Sequence, residues 1–152
     1  MKKIKNILIA ILMQLFLFVY VYGQNTENEL LLETCGILSV QGIYLTYTSI
    51  GGAADGNATG TYEDDFSVEL LSEYVVLSEV AKNQLSTVLT SGILNEEDVS
   101  FLASLITGYG YLISEANAYI NYIQTGKYKY IEKYNEYRTY AWNLMSELLD
   151  EE

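Results

Sequence analysis

An apolar stripe between residues 99 and 123 constrains the fold of this chain more than any other feature. Apolar side chains recur there at alternating steps of three and four residues, which is the period of one face of an α-helix. A helix cannot bury such a stripe alone, so the pattern predicts a helix that packs against partners. The stripe positions are Val99, Leu102, Ile106, Tyr109, Ile113, Ala116, Ile120 and Ile123.

The residues at both ends of this stripe are typical of helix termini. Asn95 suits an N-cap, and the acidic residues 96–98 occupy the first turn, where the positive end of the helix dipole favours negative charge. Gly126 suits the left-handed position that follows many helices. We therefore predict a helix between Asn95 and Gly126.

Two further stripes predict helices on either side of this one. Apolar positions from Tyr130 to Leu148 predict a helix over residues 128–149. Those from Phe66 to Val88 predict another, which ends at Ser91-Gly92. The connection around Gly126 is very short, so the two helices beside it should fold back antiparallel, and a bent continuation is the alternative.

The segment before residue 61 has a weaker pattern. Residues 27–49 carry a helical stripe, although Gly36, Gly42 and several β-branched residues weaken it. We predict a helix there, followed by a loop from Gly51 to Gly60. Four helices joined by mostly short connections predict an all-α fold, an antiparallel up-down four-helix bundle.

The N-terminus has the pattern of a cleavable signal peptide. Three lysines precede an apolar run from Ile7 to Val21, and Gly23 suits the position before the cleavage site. The run is shorter than the roughly 20 residues that span a bilayer as a helix, although a retained anchor is the alternative. We predict a signal peptide over 1–23 and one helical domain over 24–152, which is periplasmic or secreted and has no stable membrane insertion after cleavage.

Charge narrows the range of partners. The chain has 8 basic and 20 acidic residues, a net charge of −12. Removal of the signal peptide takes away three basic and no acidic residues, which leaves −15. Nucleic acids and anionic membrane surfaces select basic proteins, so we expect neither as a partner.

The residue types present exclude several kinds of chemistry. The chain contains no histidine, so Ser-His-Asp and Cys-His catalysis and histidine-ligated metals are excluded within it. Its single cysteine, Cys35, is most simply a buried small residue, and an intermolecular disulfide is the alternative. Catalysis by carboxylates alone remains open, but residues 63–65 and 96–98 lie at predicted helix starts, where capping explains them. We expect a non-enzymatic protein without a cofactor.

One segment resembles part of a calcium-binding loop. Asp55, Asn57, Thr59 and Glu63 match ligand positions of an EF-hand, with Gly60 at its glycine position. The last position, which should carry a bidentate carboxylate, is Phe66. Turn-forming residues explain the same pattern, so this is a weak metal candidate.

Tyrosine and lysine concentrate in the last third of the chain. Nine of the 15 tyrosines lie between residues 109 and 140, and the segment 127–138 has four basic residues against two acidic ones. Exposed tyrosines are common at recognition surfaces, whereas the alternative is a solvated helix face with lysine stems over tyrosine rings. The predicted interaction surface comprises Tyr111, Tyr122, Tyr128, Lys129, Lys133 and Tyr140.

These features together predict an exported protein-interaction or structural module. An acidic protein or an anionic glycan is the expected partner, because the predicted surface is the positive part of an acidic chain. The alternative is a small-ligand or calcium-binding carrier that uses the bundle core or the loop 55–66.

Overall fold

The computed structural model describes the backbone of residues 2–92 and 94–150 and the side chains of 30–92 and 94–149. The regular structure in this part of the chain is α-helix throughout: α1 (Lys2–Ala58), α2 (Asp64–Leu89), α3 (Glu96–Thr125) and α4 (Lys129–Asp150). The all-α prediction is confirmed. The side chains of the predicted signal peptide, 1–23, lie outside those described.

Spatial contacts divide the chain into two units, Met1–Leu38 and Ser39–Glu152. The first unit is helical, and its leucines at positions 30, 31 and 38 are exposed. Cys35 is exposed as well, so the expectation that it is buried was wrong. The second unit contains the buried core, the Arg138–Glu115 pair and the cleft at the helix ends.

The predicted ends of α3 are confirmed in detail. The Asn95 side chain accepts a hydrogen bond from the Asp98 backbone N–H over 2.8 Å. Gly126 adopts the left-handed conformation, with φ of 66°, and its N–H donates to the carbonyl of Tyr122. Gly92, with φ of 74°, lies just beyond α2, where the sequence predicts the stop. Local capping rules therefore describe these turns correctly.

The predicted loop from Gly51 to Gly60 is wrong over most of its length, because α1 continues to Ala58. Gly51, Ala53 and Ala54 are buried on the inner face of the helix. Small side chains are needed there for close packing rather than for a turn. The reversal itself is confined to residues 59–63, where Gly60 has φ of 72°.

Contacts between the helices define their relative directions within the second unit. Tyr109 donates to the carbonyl of Ser39, and Tyr119 donates to that of Ala54, so this part of α1 runs parallel to α3. Helix α4 runs the other way, because the ring of Tyr134 lies against Tyr119 whereas that of Tyr140 lies against Tyr111. Helix α2 packs along α3.

The buried face of α3 includes the predicted positions Leu102, Tyr109 and Ala116, but the prediction is wrong at others. Leu105 and Leu112 are fully buried, whereas their neighbours Ile106 and Ile113 are half-buried and Val99 is exposed. On α2, Ser67 and Ser78 are buried, while Phe66 and Leu77 from the predicted stripe are exposed. Two of the buried positions of α2 are serines, so an apolar period alone places this face wrongly.

Within the described residues, one segment is long and apolar enough to cross a membrane by length and composition, Leu30–Ala58. Signal sequences and core helices meet the same criterion, and the second half of this segment supplies the core residues Ile43, Ile50 and Ala53.

Candidate functional site

A buried ion pair joins α3 to α4. Arg138 Nη1 lies 2.7 Å from Glu115 Oε1, and Glu115 is 0% exposed. The second carboxylate oxygen, Oε2, has no hydrogen-bond partner among the described residues. Removing two charges from water is costly, and the loss of one partner leaves the other charge uncompensated. The pair therefore requires α3 and α4 to keep one register.

Arg138 also binds α1. The same Nη1 donates to the backbone carbonyl of Tyr47 over 3.3 Å, and the guanidinium carbon lies 4.0 Å from the centroid of the Tyr47 ring. Gly51 lies beside this group: a Cβ atom added there would be 2.8 Å from the guanidinium carbon. Arginine stacks on aromatic faces with its charge retained. A glycine at position 51 leaves the space that the guanidinium occupies.

Burial raises the pKa of the Glu115 carboxyl to about 7, because lost hydration outweighs the hydrogen bond and the positive charge of Arg138. Burial acts to lower the pKa of Arg138, but the hydrogen bond to Glu115 and the nearby groups of Tyr134, Glu115 and Tyr47 together raise it. Glu115 is enclosed by protein and does not line the cleft described next. The pair therefore acts in helix packing rather than as an accessible acid and base.

An open cleft of about 600 Å³ lies where α1 and α3 end and α2 and α4 begin. Its walls combine tyrosine rings with carboxylates and amides. The ring of Tyr119 has its centroid 5.0 Å from that of Tyr134 and 5.7 Å from that of Tyr122. The Tyr119 hydroxyl donates to the Ala54 carbonyl over 2.8 Å, which fixes the central ring. The lining residues used below are Asp55, Asp64, Tyr119, Tyr122, Tyr128 and Tyr134.

Two carboxylates, those of Asp55 and Asp64, lie in this cleft. Asp64 Oδ1 accepts a hydrogen bond from the Asn57 amide over 2.8 Å. Neither carboxylate forms an ion pair within the described side chains, where Arg138–Glu115 is the only such pair. The pKa of the Tyr119 hydroxyl is raised by burial first, then by Tyr122 and by both aspartates. The negative charges are therefore close to the tyrosine cluster.

The predicted interaction residues of α4 are exposed. Lys129, Lys133 and Tyr140 are separated by four and seven residues, so they share one face of the helix. Tyr128, just before the helix, is 70% exposed. The Lys129 ammonium lies 4.8 Å from the Tyr130 ring centroid, and Tyr140 donates to Glu136 over 2.8 Å. The fourth cation of the segment, Arg138, is directed inward instead.

The two predicted residues on α3 occupy different places. Tyr111 is half-buried and stacks on Tyr140, with ring centroids 5.5 Å apart, so it borders the face of α4. Tyr122 is half-buried beside Tyr119 and lines the cleft, as does Tyr128. The structure therefore brings the six predicted residues into two neighbourhoods rather than one.

The calcium-loop hypothesis does not fit the backbone. Asp55 and Asn57 lie in the last turn of α1, so the loop that an EF-hand requires is absent from these residues. The Thr59 hydroxyl donates to the Asp55 carbonyl, and Glu63 is the N-cap residue of α2. Within the described residues, no group of three acidic or cysteine side chains is arranged to hold a metal ion.

Sequence reasoning missed Glu115, Arg138 and the cleft. Both charged residues do lie on inner stripes: Glu115 follows Leu112 by three positions, and Arg138 precedes Ala141 by three. That spacing is the one signal that identifies them, because a charge on an apolar stripe needs a partner. Searches against protein-family models, curated proteins and solved structures yield no match to this chain.

The two adjacent glycines of α1 provide a matched test of the Arg138 site. Nothing lies within 4 Å of a Cβ added at Gly52, whereas one added at Gly51 meets the guanidinium. Gly52→Ala should therefore raise the free energy of unfolding by up to about 1 kcal/mol through helix propensity. Gly51→Ala should lower it by about 1–3 kcal/mol, because overpacking displaces a paired group. Urea titration measures both; an equal gain in both variants would contradict the assigned packing.

The pH dependence of stability tests the state of Glu115. Its pKa is raised from 4.5 to about 7 in the folded protein, so the folded state binds the proton more tightly than the unfolded state. The stability due to this residue is fully present below pH 4.5 and is lost as the pH rises through 7. Since one pKa unit corresponds to about 1.36 kcal/mol, the stability of wild type relative to Glu115→Gln should fall by about 3 kcal/mol across this window. A relative stability that rises with pH would mean that the charge of Arg138 outweighs burial and lowers the pKa of Glu115.

Proposed function

We propose that this protein is an exported, non-enzymatic antiparallel four-helix bundle that acts as a protein-interaction or structural module in the periplasm or outside the cell. The directions of α1, α3 and α4, together with the packing of α2 on α3, support the up-down arrangement. The lysine-led apolar N-terminus supports export.

The exposed face of α4 carries the interaction proposal. Lys129, Lys133 and Tyr140 lie together on this face, and neither lysine forms an ion pair with a described side chain. Tyr111 supports the Tyr140 ring from α3. Stiff aromatic rings contribute contact area at interfaces, and unpaired lysines leave positive charge available to a partner.

The charge distribution selects the class of partner. The chain as a whole has a net charge of −12, so it repels anions at long range. The positive face of α4 therefore attracts an acidic protein or an anionic polysaccharide only at short range, where its own charges outweigh the rest. Nucleic acids and anionic membranes are large polyanions that the rest of the molecule repels. An acidic protein or an anionic glycan with a local negative patch is therefore the proposed partner.

The surroundings of the acidic groups support a non-enzymatic role. Glu115, which has the strongly shifted pKa, is sealed in the core by Arg138 and cannot meet a substrate there. The acidic residues at 64–65 and 96–98 lie in first helical turns, where their negative charge interacts favourably with the positive end of the helix dipole.

Export has a direct test. Cleavage by signal peptidase should leave a protein that begins at or near Gln24, because Gly23 supplies the small residue before the cleavage site. N-terminal sequencing of protein isolated from its native cells checks this expectation. A sequence that begins at Met1 or Lys2 would contradict cleavage and favour a retained anchor.

The interaction face is tested by a pair of lysine substitutions. Lys129→Gln with Lys133→Gln should leave the thermal melt unchanged, because both side chains are exposed, and should weaken binding to a partner captured from native-envelope extract. We expect a loss of about tenfold in affinity, which corresponds to about 1.4 kcal/mol.

The matched control makes the same change in net charge on another helix. Asn83→Glu with Gln84→Glu alters two exposed positions of α2 and also removes two positive units from the net charge. This control variant should bind the captured partner with the affinity of the wild type. Equal binding by the folded lysine variant, the control and the wild type would exclude this face.

A further inference from the structure

The cleft at the junction of the four helices combines aromatic rings with carboxylates that form no ion pair among the described side chains. The proposed interaction face of α4 does not include these carboxylates. The ring of Tyr119 contacts those of Tyr122 and Tyr134 at its wall; Tyr119 and Tyr134 are buried, and Tyr122 is half-buried. The faces of aromatic rings carry negative electrostatic potential and attract cations, including quaternary ammonium groups. The position of the central ring is fixed by the hydrogen bond from Tyr119 to Ala54.

Asp55 lies at a helix position that is unfavourable for a negative charge. It lies in the last turn of α1, which contains no basic residue, and the negative end of the helix dipole disfavours a carboxylate there. Its side chain forms no ion pair among the described side chains. Asp64, in contrast, lies in the first turn of α2, where the dipole favours it. Asp55 is exposed at the edge of the cleft, so a cation bound there would reach its carboxylate and offset the unfavourable interaction with the helix dipole.

The other ligand classes fit this cleft less well. No lysine or arginine lines it, so an anion would meet two carboxylates without a counter-charge. The described residues hold no cluster suited to a metal ion. A wholly apolar ligand would offer no counter-charge to the two exposed carboxylates. The volume of about 600 Å³ lies within the usual range for small-molecule sites.

We propose that the cleft binds a small organic cation, in which an ammonium group with apolar substituents lies between the tyrosine rings and the carboxylates of Asp55 and Asp64. This inference goes beyond the interaction function of α4 and does not depend on it. Asp55 supplies the counter-charge, and the accessible aromatic surface comes from half-buried Tyr122 and exposed Tyr128. The ring of Tyr122 packs against buried Tyr119, which in turn packs against buried Tyr134.

A pair of probes separates charge from shape. Choline carries a quaternary ammonium, and 3,3-dimethylbutan-1-ol is its neutral isostere with carbon in place of nitrogen. Titration of the purified protein at constant ionic strength, followed by tyrosine fluorescence and calorimetry, should detect choline with an affinity at least about tenfold above that of the alcohol. Equal binding of the two probes, or no choline binding up to about 10 mM, would overturn the proposal.

Two neighbouring aspartates supply the matched variants. Asp55→Asn should weaken choline binding by about threefold to tenfold, leave the alcohol unaffected, and keep or raise the melting temperature because it removes a charge from the α1 C-terminus. Asp65→Asn makes the same chemical change at an exposed position that does not line the cleft, and it should leave choline binding unchanged. Equal effects of the two substitutions would overturn the role of Asp55.

The interaction face of α4 and the cation site can be tested independently of each other. The variant Lys129→Gln with Lys133→Gln changes no residue that lines the cleft, so it should bind choline like the wild type. Loss of choline binding in that variant would contradict the site as assigned. The loss of an envelope partner without a change in choline binding supports both assignments.

Discussion

The contact between Arg138 and Glu115 is the constraint on which the rest of this bundle depends. One guanidinium binds a carboxylate of α3 and a carbonyl of α1 while it stacks on the Tyr47 ring. Such a buried pair contributes little net stability, but the loss of one partner is expected to cost about 3–5 kcal/mol. The pair therefore specifies which alignment of three helices is allowed, and the apolar core fills the space around that alignment.

Local rules predict the parts of this fold that are decided locally. The ends of α3 depend on Asn95 and Gly126, and both act within a few residues of their position. The end of α1 is different. Gly51 resembles a turn residue in the sequence, but its size is dictated by Arg138, 87 positions further along the chain. No short sequence window contains that pairing, so the predicted loop was wrong over residues 51–58 and correct only near Gly60.

The site was predictable to a similar extent. The positions of Lys129, Lys133 and Tyr140 outside the apolar stripe of α4 predicted that they face solvent, and all three are exposed. The same reasoning does not identify Arg138, which is directed inward. The apolar stripes predicted that Tyr109, Tyr130, Tyr134 and Tyr137 lie inside. This is confirmed for Tyr109 and Tyr134, whereas Tyr130 and Tyr137 are half-buried. The cleft was not predictable, because its walls come from the termini of four helices and depend on how far α1 extends. Asp55 belonged to a predicted loop in the sequence and to a helix end in the structure.

The three reversals of the chain in the described part each contain one glycine with positive φ, at positions 60, 92 and 126, and the sequence contains no proline. This choice of turn residue has a kinetic consequence. Prolyl isomerisation takes tens to hundreds of seconds at 25 °C and often limits refolding, whereas glycine reaches the left-handed region without a comparable barrier. With contacts mostly between neighbouring helices, folding can proceed on the fast timescale of helical proteins, independently of a prolyl isomerase.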